Sequence, residues 1–160
     1  VTVTTAAVLG ALVLAVALSA LTATALTLRH HYVLVTVAGL SMAPTLRPGD
    51  RLVVRRTAPG RIRSGDVVVL APDPELELDL DPASAPATDH GELWLIKRAA
   101  AVPGDPVPRT RVPALADAPE TLVPHGKLVL LGDNTAHSTD SRQRGYFDAQ
   151  RLVGRVVRQR

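Results

Sequence analysis

Tyr32-Val33-Leu34-Val35-Thr36-Val37, followed by Ala38-Gly39-Leu40-Ser41-Met42-Ala43-Pro44-Thr45-Leu46, is the stretch on which the fold turns. Six β-formers run into a segment punctuated by glycine and proline, the pattern of a strand feeding a turn. The pattern then recurs: Leu52-Val53-Val54, Val67-Val68-Val69-Leu70, Leu93-Trp94-Leu95-Ile96 and Leu128-Val129-Leu130-Leu131 are short runs of the same kind. Turn signals separate them at Pro48-Gly49-Asp50, Gly65-Asp66, Pro103-Gly104-Asp105 and Gly132-Asp133-Asn134. Nearly all of the thirteen prolines fall outside these runs, and no long amphipathic helix is evident. The reading is a mainly β domain over residues 29–160. Residues 72–92, with four prolines and the alternation Glu75-Leu76-Glu77-Leu78-Asp79-Leu80-Asp81, read as a surface insertion rather than an edge strand. Residues 106–124 read as another proline-rich connection.

Upstream, residues 1–28 carry no charge and no proline, and twenty of them are Ala, Val or Leu. About 20 such residues cross a bilayer core of roughly 30 Å. Ala23-Thr24-Ala25 has the small-x-small form of a secretory cleavage site. The apolar run is nevertheless far longer than the roughly 7–15 residues of a signal core. One transmembrane helix over 1–28, kept as an anchor, is therefore expected. Arg29 follows the span and no basic residue precedes it, which by charge alone would leave the domain in the cytoplasm. The chain starts with valine rather than methionine, so that count does not fix the topology.

The 160 residues suffice for one domain, or one domain and an anchor. The absence of cysteine excludes a thiol nucleophile, cysteine zinc sites, iron–sulfur clusters and disulfides. Of 18 basic residues sixteen are arginine, leaving Lys97 and Lys127. A guanidinium stays charged at any workable pH, whereas an amine can be tuned to lose its proton. An amine base must therefore be one of these two. The net charge of +3 comes from scattered arginines, and with four aromatic residues to stack on bases no nucleic-acid partner is expected.

Three constellations carry chemistry. Ser41 stands where a strand gives way to a proline-constrained turn, which can expose a hydroxyl and aim backbone N–H groups at an oxyanion. Gly39 beside it lets another backbone approach. Taken alone, a serine before a turn is an ordinary turn residue. Lys97 follows Leu95 and Ile96 on an expected strand, where burial would lower its pKa and suit it as a base. Alternation points Lys97 and Arg98 to opposite faces, although a solvated basic pair has the same sequence. Residues 132–142, Gly-Asp-Asn-Thr-Ala-His-Ser-Thr-Asp-Ser-Arg, are dense in short polar side chains that could orient an amine. Asp133, His137 and Asp140 can also be read as metal ligands, but one histidine with scattered acids lacks a ligand spacing, so no metal is expected.

Taken in order, Ser-Met-x-Pro-Thr-Leu-x-x-Gly-Asp at 41–50, Gly-Asp-Val-Val-Val at 65–69, Lys-Arg followed by Pro-Gly-Asp at 97–105, and Gly-Asp-Asn…Ser-x-Asp-Ser-Arg at 132–142 resemble the type I signal peptidases. These are membrane-anchored serine proteases that cut secretory signals from exported proteins. The resemblance implies a coiled antiparallel β-sheet, barrel-like catalytic domain. It makes Ser41 the nucleophile and Lys97 the general base, with Ser138 bonding the amine and Asp140 and Arg142 as a supporting ion pair. Gly39, two before the nucleophile, resembles the short Gram-positive form. Thr135 stands where an arginine is common, and Ala99-Ala100-Ala101-Val102 lacks a glycine common there.

Further expectations follow from the resemblance. The substrate is a secretory preprotein lying extended along a sheet edge, against Gly39, Met42, Leu95 and Ile96. No metal or organic cofactor is needed. The protein is a single-pass cell-membrane enzyme in contact with the bilayer, with its site on the extracytoplasmic side. Two alternatives remain open at this level: a maturation protease of the same fold dedicated to one precursor, and a non-catalytic anchored module that binds extended peptides.

Overall fold

A computed structural model describes residues 2–72 and 94–159. The expected insertion at 72–92 lies outside the described residues except for Pro72. The chain forms two compact units, Val1–Val33 and Leu34–Arg160.

The first unit is essentially helix α1 (Thr2–His31), which ends three residues beyond the charge-free run. Within it Val8–His31 is long and apolar enough to cross a membrane. From Val8 to Thr27 its described side chains are exposed. Polar groups in such a helix must be satisfied within it. Among the described side chains Ser19 donates to the Val16 carbonyl at 2.9 Å, Thr24 to Ala20 and Thr27 to Ala23, each at 2.8 Å. Arg29, His30 and His31 fill the last turn, where cations complement the helix dipole. The small-x-small tripeptide at 23–25 is an internal stretch of this helix.

The remainder is one antiparallel sheet of seven strands: β1 (Tyr32–Thr36), β2 (Arg51–Arg56), β3 (Val67–Leu70), β4 (Leu95–Ala101), β5 (Lys127–Leu131), β6 (Phe147–Asp148) and β7 (Leu152–Gln159). Their order across the sheet is β1-β2-β7-β3-β4-β5-β6. The expected mainly β architecture with one N-terminal apolar helix is therefore what forms. β4 differs from expectation, running on through Lys97 to Ala101, because the alanines after Arg98 pair with β5 across a bulge. The C-terminal strand β7 went unforeseen, since Arg155 and Arg158 hide its apolar positions. It is an interior strand, paired with β2 on one side and β3 on the other. Gly154 is needed there, because a Cβ would fall on the Arg55 carbonyl and 3.0 Å from the Arg56 Cα.

Among the described residues two hydrophobic clusters pack against the strands. One joins Ile62, Val68, Leu70, Leu128, Leu130 and Phe147. The other gathers Val107, Val112, Leu115 and Val123 against Val129 and Leu131 of β5. The proline-rich connection at 106–124 is thus packed structure. It has a 3-10 turn at Pro113–Leu115 and a β-bridge from Pro106 to Leu122. The Arg109 guanidinium pins it by donating to the carbonyls of Ala118 (2.9 Å) and Glu120 (2.6 Å).

Candidate active site

The loop carrying Ser41 hangs between β1 and β2. It is closed at its neck by Val37 N–H donating to the Asp50 carbonyl (2.9 Å) and Gly49 N–H donating to the Val37 carbonyl (2.8 Å). Gly49 has φ +93°, a left-handed conformation that favours glycine and completes this closure. Beneath the loop Met42 and Leu46 are buried core side chains, which fixes the height of Ser41 above the sheet. Ser41 itself is partly exposed. Neither its N–H nor its hydroxyl is hydrogen-bonded to a described residue, while its carbonyl accepts from Asn134 N–H at 2.9 Å.

Lys97 lies in the middle of β4, opposite Val68 of β3, and is only 4% exposed. Desolvation lowers its pKa from 10.5 to about 8; Asp140 works against that shift and Arg142 with it. Its Nζ donates to Ser138 Oγ at 3.0 Å, and Ser138 Oγ donates to Asp140 Oδ2 at 2.7 Å.

Asp140 is completely buried, and an unpartnered carboxylate there would be costly. Four donors satisfy it. Oδ2 accepts from Ser138, from Gly132 N–H (2.8 Å) and from Arg142 Nη1 (2.8 Å); Oδ1 accepts from Arg142 N–H (3.0 Å). The last bond caps the single-turn helix α2 (Ser141–Arg144), and Gln143 Oε1 completes the capping box by accepting from Asp140 N–H at 3.0 Å. Arg142 also reaches the Gly132 carbonyl at 3.3 Å. Ser141, fully buried, accepts from Leu130 N–H at 2.8 Å and so locks α2 onto β5.

Gly132 is where these pieces meet. A Cβ placed on it would fall on Ser138 Oγ and 2.6 Å from the Ser41 carbonyl oxygen. The serine loop and the lysine's partner therefore approach one point, and only a residue without a side chain fits there. The sequence reading did not single out Gly132. It also missed the pairing of Arg98 with Asp133, which is bidentate, with Nε to Oδ1 at 2.9 Å and Nη2 to Oδ2 at 2.6 Å. Arg98 holds the Asp133 carboxyl below the usual carboxylate range. Lys97 and Arg98 thus face opposite ways as alternation requires, and each is fastened to a different residue of the 132–142 loop. The signal in the sequence was the acid directly after Gly132.

Of the expected substrate-lining residues, Gly39 is partly exposed with no atom within 4 Å of a Cβ built on it, and Leu95 is partly exposed. Ile96 is 8% exposed and Met42 only 1%. Met42 can therefore form at most the floor of a pocket, because its side chain is already packed into the core. His137 sits exposed on the 3-10 turn Thr135–His137, its Nδ1 3.5 Å from Asn134 Oδ1. Lys127 is exposed at the start of β5. Among the described residues no group of three or more histidines, aspartates or glutamates is placed to hold a metal ion.

Known proteins give this arrangement a context. The model of the family described as signal peptidase, peptidase S26, matches residues 5–117 and 109–159. A probable signal peptidase I-1 of Synechocystis is 31% identical over 137 residues, covering 73% of this chain and 65% of the cyanobacterial protein. Signal peptidase IB of Staphylococcus aureus is 30% identical over 140 residues, covering 76% of this chain and 73% of its own length. These likenesses place the chain in a class of peptidases. The chain belongs to the signal peptidase family, peptidase S26.

Proposed function

We propose that this protein is a membrane-anchored serine endopeptidase that removes N-terminal signal peptides from secretory preproteins, with Ser41 as nucleophile and Lys97 as general base. The observation that carries the reading is the state of Lys97. It is a buried amine with a pKa lowered to about 8, held 3.0 Å from Ser138 beside the loop that presents Ser41. At neutral pH roughly a tenth of such an amine is deprotonated, a useful fraction for a base.

The hydrogen-bond directions define the geometry. Ser138 gives its proton to Asp140, so toward Lys97 it can only accept. One amine N–H is thereby committed to Ser138, leaving the lone pair of the neutral amine for Ser41. The Ser41 hydroxyl passes its proton to Lys97 as its oxygen bonds to the scissile carbonyl carbon. The oxyanion formed is met by the free Ser41 N–H, a donor of a kind worth about 3 kcal/mol. The C–N bond then breaks, and Lys97 returns the proton to the leaving amine. A water deprotonated by Lys97 hydrolyses the acyl ester, regenerating Ser41 and releasing the signal peptide as a carboxylate.

Substrate backbone lies extended beside Gly39, where open space adjoins the chain, with Leu95 and Ile96 along its path and Met42 beneath. Residues 1–28 serve as anchor and 29–160 as the catalytic domain, a single-pass arrangement in the cell membrane with the site on the extracytoplasmic face. Bilayer lipid and preprotein are its partners. Incubating the anchored protein with a panel of unrelated preproteins tests the function. Cleavage after small residues in several of them is expected; acceptance of one precursor would make it a dedicated maturation protease, and labelling of nothing by a serine-directed acylating probe would leave a binding module.

A further inference from the structure

Directional bonds reach the Ser41 loop from two sides. On one, Asn134 N–H donates to the Ser41 carbonyl at 2.9 Å, and the Thr45 side chain stands beside Asp133. On the other, the side-chain amide of Gln159, at the end of β7, donates to Asp50 Oδ2 at 2.8 Å and to the Thr45 carbonyl at 3.4 Å. Asp50 Oδ2 also accepts from Arg47 N–H at 2.7 Å, so one carboxylate oxygen joins the second half of the loop to β7. Met42 and Leu46 hold the loop down by burial, but apolar contact is non-directional and sets no orientation. The loop's lateral position falls to the hydrogen bonds.

The strand that supplies Gln159 is also in register with Lys97. Lys97 of β4 stands opposite Val68 of β3, and Val68 stands opposite Arg155 of β7. From Arg155 the strand runs on to end at Gln159, against the loop. Between the two, its pairing with β2 slips: Val53 stands opposite Arg158 and Val54 opposite Val156, which leaves Val157 opposite no residue of β2. A bulge of this kind bends a strand and re-aims the side chains beyond it. Val157 is 45% exposed, and the amide two residues further on meets Asp50.

We infer that the bulged end of β7 aligns the nucleophile, with Gln159 as a positioning residue that sets where Ser41 stands relative to Lys97. One strand serves both members of the pair: its body is registered to β4 through β3, and its tip is bonded to the Ser41 loop. Proton transfer between them depends on that alignment, and a misplacement of about an ångström costs about a hundredfold. Gln159 carries a share of it, since Asn134 holds the other side of the loop. The Gln159 nitrogen can only donate and the Asp50 carboxylate can only accept, so a side chain of like length without a donor cannot replace it. The inference rests on reading Ser41 and Lys97 as the dyad.

Gln159→Met keeps the side chain's length and removes the donor, whereas Gln159→Lys keeps a donor. Both variants and the parent, as full anchored chains, are assayed on one preprotein, with active sites counted by a serine-directed acylating probe. Gln159→Met should lower kcat about fivefold, the scale of one hydrogen bond to a charged acceptor, with KM, the pH midpoint and the melting temperature as in the parent. Hydrogen exchange at the Leu46 and Arg47 amides should quicken by about the same factor. Gln159→Lys should restore both. Parent-like kcat or parent-like exchange in Gln159→Met overturns the inference, as does a Gln159→Lys as slow as Gln159→Met. A lowered melting temperature with kcat per titrated site unchanged would make Gln159 merely structural and overturn it too. A parent that neither cleaves nor takes up the probe sinks the peptidase reading, and the positioning role with it, while amide exchange still reports on the Gln159 contact.

Discussion

Lys97 Nζ stands 3.0 Å from Ser138 Oγ, and Ser138 hands its own proton to a 2.7 Å hydrogen bond with buried Asp140. That relay joins the middle of β4 to the capped turn of α2 through Ser138 of the 132–142 loop, so the amine's direction is fixed from both ends. The carboxylate that orients the lysine also tends to keep it charged. Arg142, bonded to Asp140 at 2.8 Å, opposes that tendency, and burial then dominates.

The first consequence is a pH dependence. A lysine base works in its neutral form, which is populated above its pKa, so kcat/KM should climb with pH and level off above about 8. Initial rates on a model preprotein between pH 6 and 10 check this. A midpoint well below 8 would contradict a lysine base.

Removing Arg142 should move that midpoint to higher pH, because a charge that lowers the Lys97 pKa is lost while Asp140 still raises it. Breaking the buried pair should also cost about 3 kcal/mol of stability. Pairing the pH–rate profile of Arg142→Ala with its thermal melt separates the two effects, since instability alone leaves the midpoint in place.

Gly132→Ala should reduce kcat by about a hundredfold, the usual result of displacing catalytic groups by about an ångström. The added methyl would fall on Ser138 Oγ and crowd the Ser41 carbonyl, so both sides of the proposed dyad must move. Steady-state kinetics should show the loss in kcat more than in KM.

Gly39→Val should behave differently. No atom lies within 4 Å of a Cβ at this position, so the fold should melt as before. A substrate strand passing there would meet the branched side chain, and KM should rise about tenfold. Kinetics and a melting curve on the same preparation settle whether Gly39 adjoins the substrate.

Much of this molecule was legible in its sequence. The strands dense in valine and leucine announced themselves, as did the charge-free helix, because apolar pattern and length suffice for both. β7 did not, since its arginines sit on a solvent face and break the pattern that would have revealed an interior strand. The packing of 106–124 was equally hidden, for its order comes from Arg109 bonding distant carbonyls and from apolar contacts with β5, neither of which is local in sequence. At the site, motif order pointed to Ser41, Lys97, Ser138, Asp140 and Arg142. It could not show that Gly132 marks their meeting point, or that Met42 is buried, because both depend on how two loops close against one another.

The central claim is that Ser41 and Lys97 act as one catalytic unit, and N-terminal sequencing of the cleaved product tests it most directly. The anchored protein and its Ser41→Ala, Lys97→Ala, Lys97→Arg and His137→Ala variants are each incubated with the same preprotein. The account predicts one new N-terminus, following a small residue, from the parent and His137→Ala, and a loss of at least about a thousandfold in rate for the other three. Robust cleavage by Lys97→Arg, or loss of cleavage in His137→Ala with Lys97→Ala still active, would contradict it.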